Sequence, residues 1–446
     1  MKSVLFLLLL SNFYLEAKEL PLEDFITQFK KYDIQQEAIL SELMRTRFNK
    51  DLNMPARQWL VEINAEYGLE LNGGVQTSSK SASLSRNNRQ SGTEINLEVQ
   101  QNDQIGREEQ VASLRIQQSL IQNSFGEQYR KRSKLLERQN TVINLQVSES
   151  YEDYLAERIN QYLTFVQNFK SVESNRKLYN LSLKLESEIK LRKRKNIANQ
   201  VDVDRVKIQV INRQKSVIGA EKELALTIQD LKDSLSAEAF FNVSFEPPKK
   251  IPFIEKRISF DESKFWQESR TSKLLQNQSL VADDNILVQK RNLYPEARLL
   301  FGVSRDDSQR FNATANREEA LVGINFSYSL DNSQAKAQLA QARLERVQAT
   351  FAKKRAKKVI GNQISSLKQK IEIEHSQLKL LESQLLLARR LAKGEKSNFT
   401  KDRSSLRDVI DAQNTLANAE LELINQKILL ARSIVAWMRM TDSLKS

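Results

Sequence analysis

Two hydrophobic periods alternate along this chain. From Ile360, the apolar positions Ile364, Leu367, Ile371, Leu378, Leu381, Leu385, Ala388 and Ala392 advance by steps of three and four, interrupted by Glu374 alone. That is the 3.5-residue period of a left-handed coiled coil. Leu155, Ile159, Tyr162, Val166 and Phe169 repeat the spacing earlier in the chain. Both stretches predict helices of about 70 residues, on the order of 105 Å long, that need partners along much of their length.

Elsewhere the period falls to two. Trp59, Val61, Ile63, Ala65, Tyr67, Leu69 and Leu71 alternate with Glu62, Asn64, Glu66, Glu70 and Asn72. Ala297, Leu299, Phe301 and Val303 follow the same rule, as do Ala320, Val322, Ile324, Phe326, Tyr328 and Leu330. These segments run ~9 to 13 residues, the length with which a tilted strand crosses a bilayer. A half-buried soluble sheet also alternates; the strongly polar second face favours a barrel with an aqueous lumen.

The pattern occurs twice. Arg107-Glu108-Glu109-Gln110-Val111-Ala112-Ser113-Leu114-Arg115-Ile116 corresponds to Arg317-Glu318-Glu319-Ala320-Leu321-Val322-Gly323-Ile324-Asn325-Phe326. Asp202-Val203 corresponds to Asp408-Val409, and Phe25 to Phe265. The first repeat is expected over 18–235, with a helix of about 30 residues, strands over about 59–121, and helices over about 124–195 and 200–235. A connector, 236–260, carries Pro247, Pro248 and Pro252. The second repeat, 261–446, has a helix, strands over about 296–330, and helices over about 332–401 and 406–441.

If all helices lie on one side of a membrane, each half must cross it an even number of times. The second half offers two strands, joined across Asp306 to Asn316. The first offers three candidates: Trp59 to Asn72, Thr93 to Gln101 and Glu108 to Ile121. The last two form one strand bent at Asn102 to Gly106, or Thr93 to Gln101 belongs to an outer loop. Gly73 to Gly92, rich in Ser, Asn and Gly, reads as that loop.

Composition narrows the classes. The 446 residues include only 11 Gly and 6 Pro, about a third and a quarter of average usage, so elements are long. With 28% charged residues and a mean hydropathy of −0.53, a polytopic helical membrane protein is excluded. The lack of cysteine excludes disulfide scaffolds, thiolate sites and an acylated N-terminal cysteine. Lys2, the apolar run Val4 to Leu10, and Leu15 and Ala17 before the break read as a secretory signal over 1–17. Export demotes nucleic acid as a partner despite the net charge of +13, and leaves periplasm, outer membrane or medium.

These features together resemble the TolC-like outer membrane factor family over nearly the whole mature chain. The most specific piece is Phe399-Thr400-Lys401-Asp402-Arg403-Ser404-Ser405-Leu406-Arg407-Asp408-Val409-Ile410-Asp411-Ala412-Gln413, similar to the family's helix-turn-helix end. Gln118-Ser119-Leu120-Ile121-Gln122-Asn123-Ser124-Phe125-Gly126 resembles its strand-to-helix junction, with Ser119 at the usual proline. The resemblance implies an α+β fold: long antiparallel coiled-coil helices forming an α-barrel tunnel, and four membrane-spanning strands per subunit in a trimeric twelve-stranded β-barrel. It implies an outer-membrane channel-tunnel, a passive exit duct for efflux or type I secretion, working with a periplasmic adaptor and an inner-membrane pump. Trimerisation has a physical reason too, since an open sheet edge cannot face lipid.

At the inner gate the resemblance places Asp408 and Asp411, with Asp202 and Asp204 in the first half, where Arg205 replaces the motif's second acid. Asp408 as helix N-cap, with Asp411 in the first turn, is the structural alternative. The tip turns are Asn196, Asn199, Asp402, Arg403, Ser404 and Ser405. Asn196 and Asp402 stand where the family has glycine, and both residue types tolerate a left-handed backbone. The basic run Lys190, Arg192, Lys193, Arg194 and Lys195 either complements the helix dipole or meets acids on an adaptor or on neighbouring helices. His375 alone completes no catalytic triad, and no phosphate loop, cofactor site or metal site is found, so no enzyme is expected. The alternative function is a soluble periplasmic coiled-coil adaptor or scaffold without a pore.

Overall fold

The computed structural model describes residues 18–53, 57–69, 76–104, 107–234, 245–246, 250–310 and 313–444. The expected export signal and parts of the connector lie outside them. In chain order the elements are β1 (Lys18–Glu19), α1 (Leu22–Tyr32), α2 (Ile34–Asn53), β2 (Arg57–Leu69), β3 (Gln76–Asn88), β4 (Thr93–Gln104) and β5 (Arg107–Ser119). A 3-10 turn, Ser124–Gly126, leads to α3 (Glu127–Arg194) and α4 (Gln200–Ser234); β6 (Phe245–Glu246), α5 (Glu262–Glu268), α6 (Arg270–Arg291), β7 (Glu296–Arg310), β8 (Ala313–Ser327), α7 (Ser333–Thr400) and α8 (Leu406–Met440) follow. The two longest helices, α3 and α7, fall where the 3.5-residue period puts them. No helix among the described residues is long and apolar enough to cross a membrane.

The chain divides into two compact units, each drawing on both halves of the sequence. One comprises 1–40, 148–270 and 358–446, the other 41–147 and 271–357.

In the first unit, α3, α4, α7 and α8 enclose a core containing Phe25, Phe29, Tyr154, Tyr162, Ile364, Ile371 and Ile434. The buried seam of α7 is Ile364, Ile371, Leu378 and Leu385, the heptad read from sequence. Glu374, which breaks that series, is also buried; its carboxylate accepts from Ser433 Oγ at 3.1 Å, and its carbonyl from Gln426 Nε2 at 3.2 Å. The single helices expected to open each half are each broken in two. Asp33 leaves helical geometry at φ −91°, ψ 115°, accepts from the Gln35 amide at 2.8 Å and so starts α2 as a cap. Its buried carboxylate is held by Tyr154 Oη and by Arg158, both at 2.8 Å. Ser269 makes the corresponding break between α5 and α6 at ψ 149°.

The second unit is built on one antiparallel sheet of order β2-β3-β4-β5-β7-β8. The expected four strands are six. Gly73 to Gly92, expected as an external loop, contains β3, and Thr93 to Gln101 lies in a separate strand, β4. The parity argument still holds, with four strands from the first half and two from the second. Residues 306–310 and 313–316, expected in the joining loop, belong to β7 and β8 and pair with each other. In the same unit, Asp284 of α6 pairs with Arg138 of α3 at 2.5 Å and Asp283 with Arg346 of α7 at 2.6 Å. Ion pairing across helices therefore accounts for that acidic doublet.

Candidate functional site

The registers sort the sheet into two faces. On one lie Trp59, Val61, Ile63, Ala65, Tyr67 and Leu69 of β2, Ala82 and Leu84 of β3, and Ile95, Leu97 and Val99 of β4. Ala112, Leu114 and Ile116 of β5, Leu299, Phe301 and Val303 of β7, and Ala320, Val322, Ile324 and Phe326 of β8 continue it. The other face is mostly polar, with Glu62, Asn64, Glu66, Ser79, Ser81, Ser83, Ser85, Asn96, Glu98, Gln100, Arg115 and Asn325 outnumbering Leu60, Val111, Leu300 and Leu321. In the inner strands the usual rule is inverted: Ile95, Leu97 and Val99 are exposed while Asn96, Glu98 and Gln100 are half-buried. Ile63 is 76% exposed and Ile324 73%. A continuous apolar patch of this breadth marks a surface made to be covered.

The strand-to-helix junction turns on two left-handed residues, Phe125 at φ 45° and Gly126 at φ 81°. The Gly126 amide donates to the Asn123 carbonyl at 2.9 Å, and the Ser119 hydroxyl accepts from the Asn123 amide at 3.3 Å. A Cβ on Gly126 would strike the Gln90 carbonyl oxygen.

The helix-turn-helix ends are near copies of each other. Asn196 and Asp402 both adopt the left-handed backbone, at φ 60° and 57°. Behind each, the next amide reaches back five residues, Ile197 to the Arg192 carbonyl and Arg403 to the Asn398 carbonyl, both at 2.9 Å. This is the Schellman closure. The following helices open with capping boxes: Asn199 with Asp202, and Ser405 with Asp408. Asp408 is thus the third residue of α8 and Ser405 its cap, which corrects the structural alternative that made Asp408 itself the cap. Hydrogen bonds from the Ser405 side chain and amide hold the Asp408 carboxyl below its ordinary 3.8.

A core of Leu185, Ile189, Val203, Val206, Val210, Phe399, Leu406, Val409 and Ile410 joins both ends. Arg192 links them directly: it bonds Asp402 Oδ1 at 2.7 Å and the Phe399 carbonyl at 2.8 Å, with its guanidinium 4.2 Å from the Phe399 ring centre. The remaining candidates are engaged locally. Asp411 pairs with Arg407 at 3.7 Å and Lys190 with Glu186 at 2.7 Å. Asp204 accepts from Gln200 at 2.8 Å, Lys193 also reaches Gln200, and Ser404 reaches Glu395. Arg194, Lys195 and Arg403 are exposed.

One further cluster has no signature in the sequence, because its members are scattered along the chain. Glu149, Glu152 and Asp442 bring carboxylate oxygens within 4.8 Å of one another. The Arg270 guanidinium sits among them, contacting Glu152, with Asp442 at 3.7 Å and Glu149 at 4.0 Å. Burial raises the Glu152 carboxyl above its ordinary value against the opposing pull of Arg270. The arginine already supplies the cation, so the cluster reads as structural.

No family model matches the chain, and no curated protein sequence does. Solved structures do. The outer-membrane channel OprN matches at TM-score 0.73 with 13% identity, over 94% of this chain and 89% of that one. The outer membrane protein VceC of Vibrio cholerae matches at 0.71 and 10%, over 94% and 95%. The MtrE outer membrane channel of Neisseria gonorrhoeae, in its open state, matches at 0.69 and 13%, over 95% and 89%. This chain therefore has the fold of the TolC-like outer membrane channels.

Proposed function

We propose that this protein is the subunit of an outer-membrane channel-tunnel. The observation that carries the reading is the exposed apolar face of a sheet whose opposite face is mostly polar and whose two edges, β2 and β8, are open. Lipid accounts for the first face and water for the second. An open edge in lipid leaves several backbone groups unsatisfied, so the edges must be closed by other copies. The chain begins and ends the sheet with strands of opposite direction, so β8 of one copy can pair antiparallel with β2 of the next. A homotrimer closes the ring.

The duct is passive, and energy comes from an inner-membrane pump engaged through a periplasmic adaptor. The helix-turn-helix ends form the inner gate, where Asp408 and Asp411 with Asp202 and Asp204 put carboxylates near the axis, and Asn196, Asn199 and Asp402 to Ser405 offer the adaptor its contact. Arg192 restrains the gate by tying the two ends of each subunit together, while the exposed Arg194 and Lys195 suit an acidic partner. Closely placed carboxylates attract cations and hinder conduction.

The decisive experiment is fractionation, mild detergent extraction of the outer membrane, and mass and conductance measurement in a planar bilayer. A trimer of about 150 kDa, three times a mature subunit (full chain 51.5 kDa), with small gated conductance is expected. A water-soluble monomer or dimer without conductance would return the long helices to an adaptor or scaffold role. Replacing Asp408 and Asp411 together by Ala should raise conductance or weaken cation block; unchanged behaviour removes the gate assignment.

A further inference from the structure

The family resemblance implies four strands per subunit, and the sheet has six. The extra hairpin is β3–β4, in the stretch where the first half is longer than the second. It is either an extramembrane flap or part of the wall.

The registers decide between these. In a tilted barrel, a horizontal lipid band must slant steadily across the strands when each is measured along its length. The band midpoint is Asn64 on β2, Ser83 on β3, Leu97 on β4, Leu114 on β5, Phe301 on β7 and Gly323 on β8. The ladder carries each back to β2: Gly323 pairs with Leu300, Leu300 with Gln117, Gln117 with Glu94, Glu94 with Asn87, and Asn87 with Gln58. The six midpoints therefore stand level with Asn64, Glu62, Val61, Val61, Trp59 and Gln58 in turn. The descent is monotonic, and β3 and β4 lie on it.

The drop is six residues over five steps. At ~3.3 Å per residue and ~4.8 Å per strand spacing, that is about 20 Å against 24 Å, a tilt of about 40°. Membrane barrels have tilts of this size. A flap outside the lipid has no reason to keep this level, nor to bracket its two apolar residues with Lys80 and Arg86. Those cations lie six positions apart on the same face, where their long side chains can reach the two headgroup layers. Arg86 already lies over the Trp59 ring, 4.9 Å from its centre. On the lumen side β3 places Thr77, Ser79, Ser81, Ser83 and Ser85 in one row.

We infer that the β3–β4 hairpin is wall, so that three copies close an eighteen-stranded barrel with a serine-lined strand in each third. This rests on the channel reading above. Barrel width grows with strand number: at ~6.3 Å of circumference per tilted strand, eighteen strands give a backbone diameter of about 36 Å, against about 24 Å for twelve. The membrane section is then no constriction, and selection among cargoes falls to the helical ends.

The natural chain lacks cysteine, so single cysteines report cleanly. Ser83→Cys and Leu84→Cys would be probed in outer membranes with a membrane-impermeant maleimide, beside Ser304→Cys and Val303→Cys on β7, a wall strand in either arrangement. The lumen-facing position of each pair is expected to react at least about tenfold faster than its lipid-facing neighbour. Rapid reaction at both 83 and 84, with alternation kept at 303 and 304, would make the hairpin a flap and overturn the inference alone. Rapid reaction at all four positions would overturn the channel reading and the inference with it. Electron microscopy of the unmodified trimer in nanodiscs measures the width independently: a wall about 36 Å across supports eighteen strands, and one near 24 Å refutes them.

Discussion

Arg192 bonds directly across the two helix-turn-helix ends, and its removal is a sharp test of how the tip holds together. In Arg192→Ala three contacts vanish. The ion pair to Asp402, whose side chain is 68% exposed, contributes only about 0.5 kcal/mol after solvent screening. The charge-assisted bond to the Phe399 carbonyl adds about 1.5 kcal/mol, and the contact with the Phe399 ring about 0.5 to 1 kcal/mol. Water will take over the freed carbonyl, so a net loss of about 2 kcal/mol is expected. That is roughly a thirtyfold rise in local opening. Hydrogen exchange reads it directly: amides of 398–406 should exchange about thirtyfold faster, while the buried centre of α7 around Ile371 stays unchanged. Arg192→Lys, which keeps the charge but not the planar fork, should fall between. Unaltered exchange at 398–406 in the alanine variant would refute the bridge as a restraint, whatever the pore does.

Asp33→Ala leaves Arg158, itself buried, without its carboxylate and removes the cap of α2, so a loss of about 3 to 5 kcal/mol is expected in thermal or denaturant unfolding. Tyr154→Phe removes one bond to that carboxylate and should cost only about 1 kcal/mol; equal losses would mean the ion pair is not the main contributor. Gly126→Ala combines a left-handed backbone with a collision against the Gln90 carbonyl, and should block assembly in the membrane, scored as loss of the folded trimer on native gels. Asp408 has its folded-state pKa depressed, so its stabilising effect is present above the ordinary 3.8 and lost as pH falls through the lower folded value. The stability difference between the parent and Asp408→Asn should therefore be constant from pH 7 to about 5 and shrink below about 4; a difference that grows on acidification would contradict the capping-box geometry.

The helices were legible in the sequence because their burial is periodic over many turns. Each heptad position of α7 repeats the same signal, and the tip turns add residues that tolerate a left-handed backbone. The apolar strands β2, β7 and β8 were legible for a similar reason. β3 was not: its share of the apolar face is only Ala82 and Leu84, and its other face carries Thr77 with four serines, a composition typical of loops. What specifies it is backbone pairing with a strand on each side, which single-sequence hydropathy does not register. The alternation was nonetheless present, as hydroxyls at every second position from Thr77 to Ser85. The breaks at Asp33 and Ser269 were hidden because neither carries a proline or glycine to mark it; Tyr154 and Arg158, which secure the first break, lie more than a hundred residues away. The tip residues were found by motif, but the Arg192 bridge depends on two ends brought together only by folding.

The topology also explains why a wall can grow only by hairpins. In each half, helices lie before and after the strands, and in the proposed channel both sets must remain on the same side of the membrane. An added single strand would send the following helix to the opposite side, whereas an added pair returns it. Pairs also preserve opposite directions at the two edges, so that copies still join by an antiparallel ladder. Four strands in the first half and two in the second satisfy both conditions, as two and two would have. The tandem halves therefore need not match in strand number for the ring to close. They do match at the helical ends, where the Schellman turns at Asn196 and Asp402 and the two capping boxes repeat position for position. In the proposed channel, width at the membrane and geometry at the gate are thus set by separate parts of the chain, and the first can change while the second stays fixed.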